Sequence, residues 1–427
     1  MRIDITSRQV AIPLGLVWVA ALAVGLVGVV QRLLTGHELA DYTSNIPWGL
    51  WIALYVNFIS VSAGSFLLSA LVYVFDMRRL EPVAKLALFT ALVSLIAALL
   101  FVWFDIGHME RFFFVFTRGN AMSMMAWMVW LYTAYFVVLS VELWFALRGD
   151  LMEAAREPGL KGRFASLLLG RFGEAFAARS LLPVSEPYSR TADMRVVRIL
   201  GAIGVPLAIA FHGGVGALFG VVGARPFWNA PLYPVMFIVA ALTTGGALLT
   251  AVVAFFWPRQ DQQHRQLVNT LTSITIGMLA VYLILLWAEY SITFYADIPA
   301  NAEPLYQVLG GPYPWVFWVF TVALGAAIPI ALFMVNGGRS TALAGLACAL
   351  IVLGFVGNRL NVVIPGLINP QIEGLDTAYV DSRLTYEYFP SLMEWLVVVF
   401  VMAVGTAAFY AGYRLLPLVE SSKEDSS

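Results

Sequence analysis

Long apolar runs separated by short polar breaks fill the chain. A helix needs about 20 consecutive apolar residues to cross the hydrocarbon layer of a bilayer. Ten stretches reach that length, approximately 11–34, 48–76, 82–105, 121–147, 196–222, 231–257, 266–293, 314–336, 340–363 and 391–417. A spanning β-barrel would instead alternate apolar and polar positions over segments of about 10 residues, and the runs do not alternate in that way. The pattern predicts an all-α integral membrane protein: one polytopic domain over 1–427, with about ten transmembrane helices forming bundles. The first run follows MRIDITSRQV, and no small-residue cleavage site precedes Gln31, so it is read as a retained helix rather than a signal peptide. The longest polar break, 148–195, contains LKGRFASLLLGRFGEAFA, where Phe164, Leu168, Phe172 and Phe176 recur every four residues. That spacing predicts an amphipathic helix lying along the membrane surface.

Composition agrees with the pattern. Hydrophobic residues make up 60% of the chain and charged residues 12%, with a mean hydropathy of +0.82. A soluble domain carries about 25% charged residues. The formal net charge of −1 offers nothing to nucleic acid. The distribution of charge says more. If the N-terminus is cytoplasmic, only Arg32, Arg111, Arg118, Arg225, Arg359 and Arg383 of the 25 basic residues fall on the outer side. Basic residues concentrate in cytoplasmic loops, so both termini are expected in the cytoplasm, with 148–195 a cytoplasmic loop and 364–390 a loop on the outer side. Arg111 and Arg225 are then expected to snorkel from helix ends toward the interface.

On that topology the intramembrane polar groups gather toward one face. The third run ends in FVWFDIGHMERFFF, which puts Asp105 and His108 at its outer end. FHGGVGALFG puts His212 in the outer half of the fifth, beside Gly213 and Gly214. Glu289, Asn358, Arg359, Asn361, Tyr388 and Glu394 fall at the same level, joined by Asn57, Ser60 and Ser123. An ionisable group at depth costs at least about 2.5 kcal/mol, so such groups must pair, meet water or serve a ligand. Aromatics, small residues, a histidine and a carboxylate suit a quinone, whose two-electron chemistry also moves two protons. Histidine and a buried carboxyl can carry them. An alternative for the same residues is a ten-helix proton-coupled solute or ion transporter. Glu142, Asp76 and Lys85, placed toward the inner side, mark a possible proton route. One cysteine, Cys348, excludes an iron–sulfur cluster held by several thiolates. The four histidines, His37, His108, His212 and His264, do not supply the ligands of a two-haem cytochrome, and a haem between His108 and His212 is disfavoured because His108 lies beyond the apolar core.

Five segments in this order carry a resemblance: PWGLWIALYVNFISVSAGSFLLSALVYVF, FDIGHMERFFF, NAMSMMAWMVWLY, FHGGVGALFGVVGARPFW and GNRLNVVIPG followed by YEYFPSLMEWLVV. Together they resemble the NrfD/PsrC polysulfide-reductase membrane-subunit family, in its ten-helix HybB/DsrP-like branch. The resemblance implies a chain without a haem or iron–sulfur cluster of its own, with menaquinone or ubiquinone as bound substrate. It implies a ferredoxin-like iron–sulfur subunit docked on the periplasmic side, and a further catalytic or electron-transfer subunit beyond it. Asp105, His108 and His212 match positions that the family uses at its quinone site. Arg359 and Glu394 match recurring positions that structure it, and Ser123 is placed with them.

Overall fold

The computed structural model describes residues 8–178, 188–379 and 381–419. Among the described residues, ten helices are long and apolar enough to span a membrane. Numbered along the chain they are helix one (Ile12–Thr35), two (Leu50–Tyr73), three (Arg78–Asp105), four (Met124–Ala154), five (Arg190–Gly220), six (Tyr233–Phe256), seven (Gln262–Ala296), eight (Val316–Asn336), nine (Thr341–Ile368) and ten (Leu392–Leu415). The described residues contain no strand. All ten apolar runs are therefore helices, with shifted limits. The connection after helix four is shorter than 148–195, because helix four runs to Ala154 and helix five begins at Arg190. Helix nine continues through a short turn, Pro365–Ile368, into what the sequence assigned to the 364–390 loop. The termini expected in the cytoplasm include residues 1–7 and 420–427, which lie outside the described residues.

Helix two is the hub. It packs on helices three, five, six and nine, and it is almost wholly buried. Helices two to five form one bundle, helices six to nine a second, and helices one and ten pair on the outside of helix three. Between lipid tails the hydrophobic effect does not press helices together, so close approach at small residues does that work. A Cβ on Gly64 would stand 1.8 Å from the Ala241 carbonyl oxygen, so helices two and six touch backbone to backbone there. On the outside, a Cβ on Gly25 would stand 2.5 Å from the Phe400 nitrogen, which seats helix one on helix ten.

Helix eight differs in winding. Val316–Ala327 is π-helical before Ile328–Asn336 returns to α. Its Gly325 meets Gly354 of helix nine so closely that a Cβ on Gly354 would lie 2.3 Å from the Gly325 Cα. Between helices four and five, Leu160–Ala178 is helical as the Phe164/Leu168 spacing predicts. It packs on helices four and ten, with Ala165 buried. The side chains of Phe172 and Phe176 lie outside the described residues.

The two ends of the bundle are chemically different. Lys85 pairs with Asp150 at 2.5 Å and Arg148 with Asp193 at 3.1 Å at one end. At the other end, three loops are stitched together by Arg225. Its Nη1 donates to the carbonyls of Leu367 and Asn369, at 3.4 and 2.9 Å, and its Nη2 to that of Asn45 at 3.3 Å. Arg225 is 8% exposed, so it turns inward and does not snorkel. The reason is local: carbonyls left without partners at loop ends accept the guanidinium's fixed fork of donors. Arg111 does project outward, with more than half of its side chain exposed.

Candidate functional site

Helix ten starts with a sequence signal that explains one buried acid. Ser391 and Glu394 have the S-x-x-E spacing of a capping box. The Ser391 hydroxyl accepts from the Glu394 nitrogen at 3.3 Å, and Glu394 Oε2 accepts from the Ser391 nitrogen at 2.9 Å. Capping uses only part of the carboxylate. Oε2 also accepts from the Asp41 nitrogen at 3.1 Å, and Oε1 accepts from the Tyr388 hydroxyl at 2.5 Å. Glu394 is fully buried. The Tyr388 hydroxyl in turn accepts from the Leu50 nitrogen at the start of helix two, at 2.7 Å.

Asp105 stands beside this group. Its Oδ1 accepts from the Tyr42 hydroxyl at 2.8 Å, and the Tyr42 ring stacks on Tyr388 at 6.1 Å. Arg32, buried at the end of helix one, donates to the carbonyls of Phe104 and Ile106 at 2.8 and 2.7 Å, and so fixes the end of helix three that carries Asp105. His37 packs its ring edge-on to Tyr42 at 5.2 Å. Burial and the Arg32 charge push the His37 imidazole down to about 4, so it is neutral at physiological pH. Burial, with the charges of Asp105 and Glu394 nearby, holds the hydroxyls of Tyr42 and Tyr388 well above the usual phenol range, so both stay protonated. Two carboxyls, each donated to by a tyrosine whose ring stacks on the other, form one polar cluster at the loop-stitched end.

A cavity of about 340 Å³ opens next to it. Its walls come from helices two, eight, nine and ten and from the short helix Pro299–Gly310, and are almost entirely apolar. Gln307, Tyr313, Asn361 and Tyr388 are the residues with hydroxyl or amide groups in the lining, and it also includes Trp315, Leu353 and Trp395, which are exposed. The π-wound stretch of helix eight contributes Val316 and Phe320. Concave apolar space with a few polar groups is the usual form of a small-molecule site.

A second polar group lies deeper along helix two. Trp51 of helix two donates its indole N–H to the Glu394 carbonyl at 3.1 Å; Ser60, nine residues and so about 14 Å further along the helix, donates its hydroxyl proton to the Val56 carbonyl at 2.7 Å. Its oxygen accepts from Arg359 Nη2 at 2.9 Å and lies 3.3 Å from His212 Nε2. With the hydroxyl proton committed to Val56, the His212 contact requires the proton on Nε2. The buried Arg359 guanidinium lies 4.6 Å over the Phe237 ring. A small space beside it is lined by Asn358, Tyr282 and Glu289, and also by Asn361, which is therefore a wall shared with the larger cavity.

The sequence-derived residues thus fall into separate places. Asp105 and Glu394 come together, as do His212 and Arg359, and Asn361 lies between the two groups. His108 stands apart: it is about two-thirds exposed and pairs with Glu110 at 3.0 Å. Ser123 caps helix four, accepting from the Ala126 nitrogen at 3.4 Å. Asp76 is exposed near Arg78, and Lys85 is engaged by Asp150. Glu142 is buried in helix four, and neither carboxyl oxygen has a partner among the described residues. Sequence reasoning missed Arg32, His37, Asp41 and Tyr42 as members of the site. For the last three the signal was polar residues crowded into HELADYTSN between two apolar runs, and for Arg32 its charge at the end of the first run.

The family described as Polysulphide reductase, NrfD matches residues 38–371. A subunit of the selenate reductase of Mesobacillus selenatarsenatis is 36% identical over 406 residues, 94% of this chain and 93% of that protein. The Hdr-like menaquinol oxidoreductase integral membrane subunit of Archaeoglobus fulgidus is 29% identical over 88% of this chain and 86% of its own length. The menaquinone reductase integral membrane subunit of Nitratidesulfovibrio vulgaris is 22% identical over 94% and 90%.

Proposed function

This chain belongs to the polysulphide reductase NrfD family, and from that premise we propose that it is the quinone-reactive membrane subunit of a multi-subunit respiratory oxidoreductase. The observation that carries the reading is the apolar cavity walled by Tyr388, with the Tyr388–Glu394 hydrogen bond behind it. A quinone has a flat headgroup with two oxygens and an isoprenoid tail. The tail needs an apolar space reachable from lipid, and the headgroup needs a proton exchanger. When a quinol is oxidised, its hydroxyl proton passes to the Tyr388 oxygen while the tyrosine proton moves to Glu394. Reduction runs the same relay backward. Asp105 and Tyr42 repeat the pairing next door and offer a second proton acceptor on the side of the loops. His212 and Arg359, reached through Asn361, set the polarity at the deeper wall.

The relatives' names support this class: two are named for menaquinol or menaquinone, and one belongs to a selenate reductase. Menaquinone or ubiquinone is accordingly the bound substrate. Electrons leave to, or arrive from, an iron–sulfur subunit on the periplasmic side. That subunit docks where Glu373, Asp376, Asp381 and Glu387 are exposed around the stitched loops, and a catalytic subunit lies beyond it. His108 and Ser123 belong to the rim under this reading, close to the docking surface. A route for protons toward the opposite end would pass Glu142, whose unpartnered buried carboxyl is otherwise a pure cost, with Lys85 and Asp76 near its exit.

The test is quinone-linked turnover of the assembled complex carrying Glu394→Gln or Tyr388→Phe. Turnover is expected to fall about 100-fold in Glu394→Gln, the scale of a lost proton-transfer group, while the soluble partner's activity with an artificial electron donor persists. Unchanged quinone-linked turnover in both variants would overturn the assignment.

A further inference from the structure

A second and larger hollow, about 520 Å³, lies far from the tyrosine–carboxylate cluster. Helices two, three, six and ten wall it, from Phe58, Ala97 and Val401 down to Pro258 and Arg414. On helix ten it extends over the fourteen residues from Val401 to Arg414, about 20 Å of helix. One leaflet's share of the hydrocarbon layer is about 15 Å. The hollow therefore has the length of a lipid acyl chain and runs toward the basic end of the bundle.

Its chemistry separates a lipid tail from a quinone. Three of the lining hydroxyls are donated to backbone: Thr90 to the Leu86 carbonyl at 2.7 Å, Tyr413 to the Phe256 carbonyl at 2.7 Å, and Thr406 to the Met402 carbonyl; Ser94 and Tyr410 are the other hydroxyl-bearing residues there. Among the described residues no carboxyl or imidazole lines it, so it offers no proton exchanger for a quinone. Its basic end is different. Arg414 lines the mouth, exposed, with its guanidinium 5.9 Å over the Tyr410 ring. Arg259 follows directly on the lining residue Pro258 and is also exposed. Neither arginine has an ion-pair partner among the described residues. A cation at the mouth, and a second one residue beyond the lining, beside an apolar groove at least as long as one leaflet is deep are complementary to a phosphate joined to an acyl chain.

We propose that this groove is a site for an anionic phospholipid, with one acyl chain along helix ten and its phosphate held at Arg414 and Arg259. The occupant seals the contact of helix ten with helices three and six, which the chain's own side chains leave open. The site is independent of the quinone assignment.

The test uses the intact complex, reconstituted in nanodiscs containing phosphatidylglycerol and phosphatidylethanolamine, then delipidated and analysed by native mass spectrometry. The parent protein is expected to retain phosphatidylglycerol selectively. Arg414→Gln should lower that retention about fivefold, the scale of one basic residue near an anionic headgroup, and leave phosphatidylethanolamine unchanged. Gly405→Leu fills the groove: a Cβ there meets only Ala97, at an ordinary 3.9 Å, so the variant should fold and lose the bound lipid. Unchanged assembly and yield of the purified complex in both variants shows that the fold is intact. Phosphatidylglycerol retention unchanged in Gly405→Leu, or release of a quinone in place of a phospholipid, would overturn the proposal.

Discussion

Glu394 illustrates how one side chain serves structure and chemistry together. Its Oε2 completes a helix cap, while its Oε1 holds the Tyr388 hydroxyl. The cap explains why an acid stands at this position, and the tyrosine contact places that acid next to a cavity. Glu142 has no such structural employment, which argues for transport of protons. In proteoliposomes, Glu142→Gln should abolish the membrane potential formed during turnover while electron transfer continues; undiminished potential would remove Glu142 from the route. His37 gives a prediction in pH. Its folded value near 4 lies below the ordinary 6.5, so below pH 6.5 the unfolded chain binds a proton that the folded chain refuses. Stability is then fully present above 6.5 and is lost as pH falls toward 4. Replacing His37 with Phe should flatten the fall of the apparent Tm in detergent between pH 6.5 and 4, and an unaltered slope would refute this. The acids at helix ends were legible in the sequence because a charge in an apolar run stands out. Tyr42 and His37 were not, because polar residues near a loop look solvated until the fold brings distant residues together, some 350 positions apart in the case of Asp41 and Glu394; Arg32 was visible as a charge in the first apolar run, but not its contact with the end of helix three.

At the level of helices, span length carried almost all the information. Twenty apolar residues fix a crossing whatever they pack against, so every span was recoverable and only its limits moved. Packing was not recoverable, since an apolar run does not say which of its glycines meets a neighbour. Gly64 is the clearest case, pressed against the Ala241 carbonyl where helices two and six cross. Gly64→Val should destabilise the protein by about 1–3 kcal/mol or more, the usual cost of overpacking, visible as a lower apparent Tm and poorer yield. A parent-like Tm would mean that the two helices part easily. The π-wound stretch of helix eight was equally hidden. Hydropathy measures how far a segment reaches, not how wide its turns are, yet this stretch supplies Val316 and Phe320 to the cavity. Arg225 misled for a related reason. A cation at a helix end is expected to reach for water, but here three loop ends present carbonyls that satisfy it inside.

Across the whole molecule, the proposed function rests on asymmetry between the two ends. One end carries stitched loops, the tyrosine–carboxylate cluster and a cavity open to lipid; the other carries paired and unpaired basic residues. The sequence anticipated a one-sided gathering of polar groups. It did not show that they divide into two groups along helix two, with Asp105 and Glu394 nearer the loops and His212 and Arg359 deeper, and with Asn361 lining the hollow beside each. Only the three-dimensional arrangement reveals that division, because helix two contacts both groups and its own polar residues are spaced along one rod. The most direct test of the central claim is a structure of the assembled complex with its quinone or a quinone-site inhibitor bound. The headgroup is predicted in the cavity between helices two, eight, nine and ten, with an oxygen about 3 Å from the Tyr388 hydroxyl. A headgroup bound elsewhere, with that cavity filled by lipid or side chains, would contradict the account.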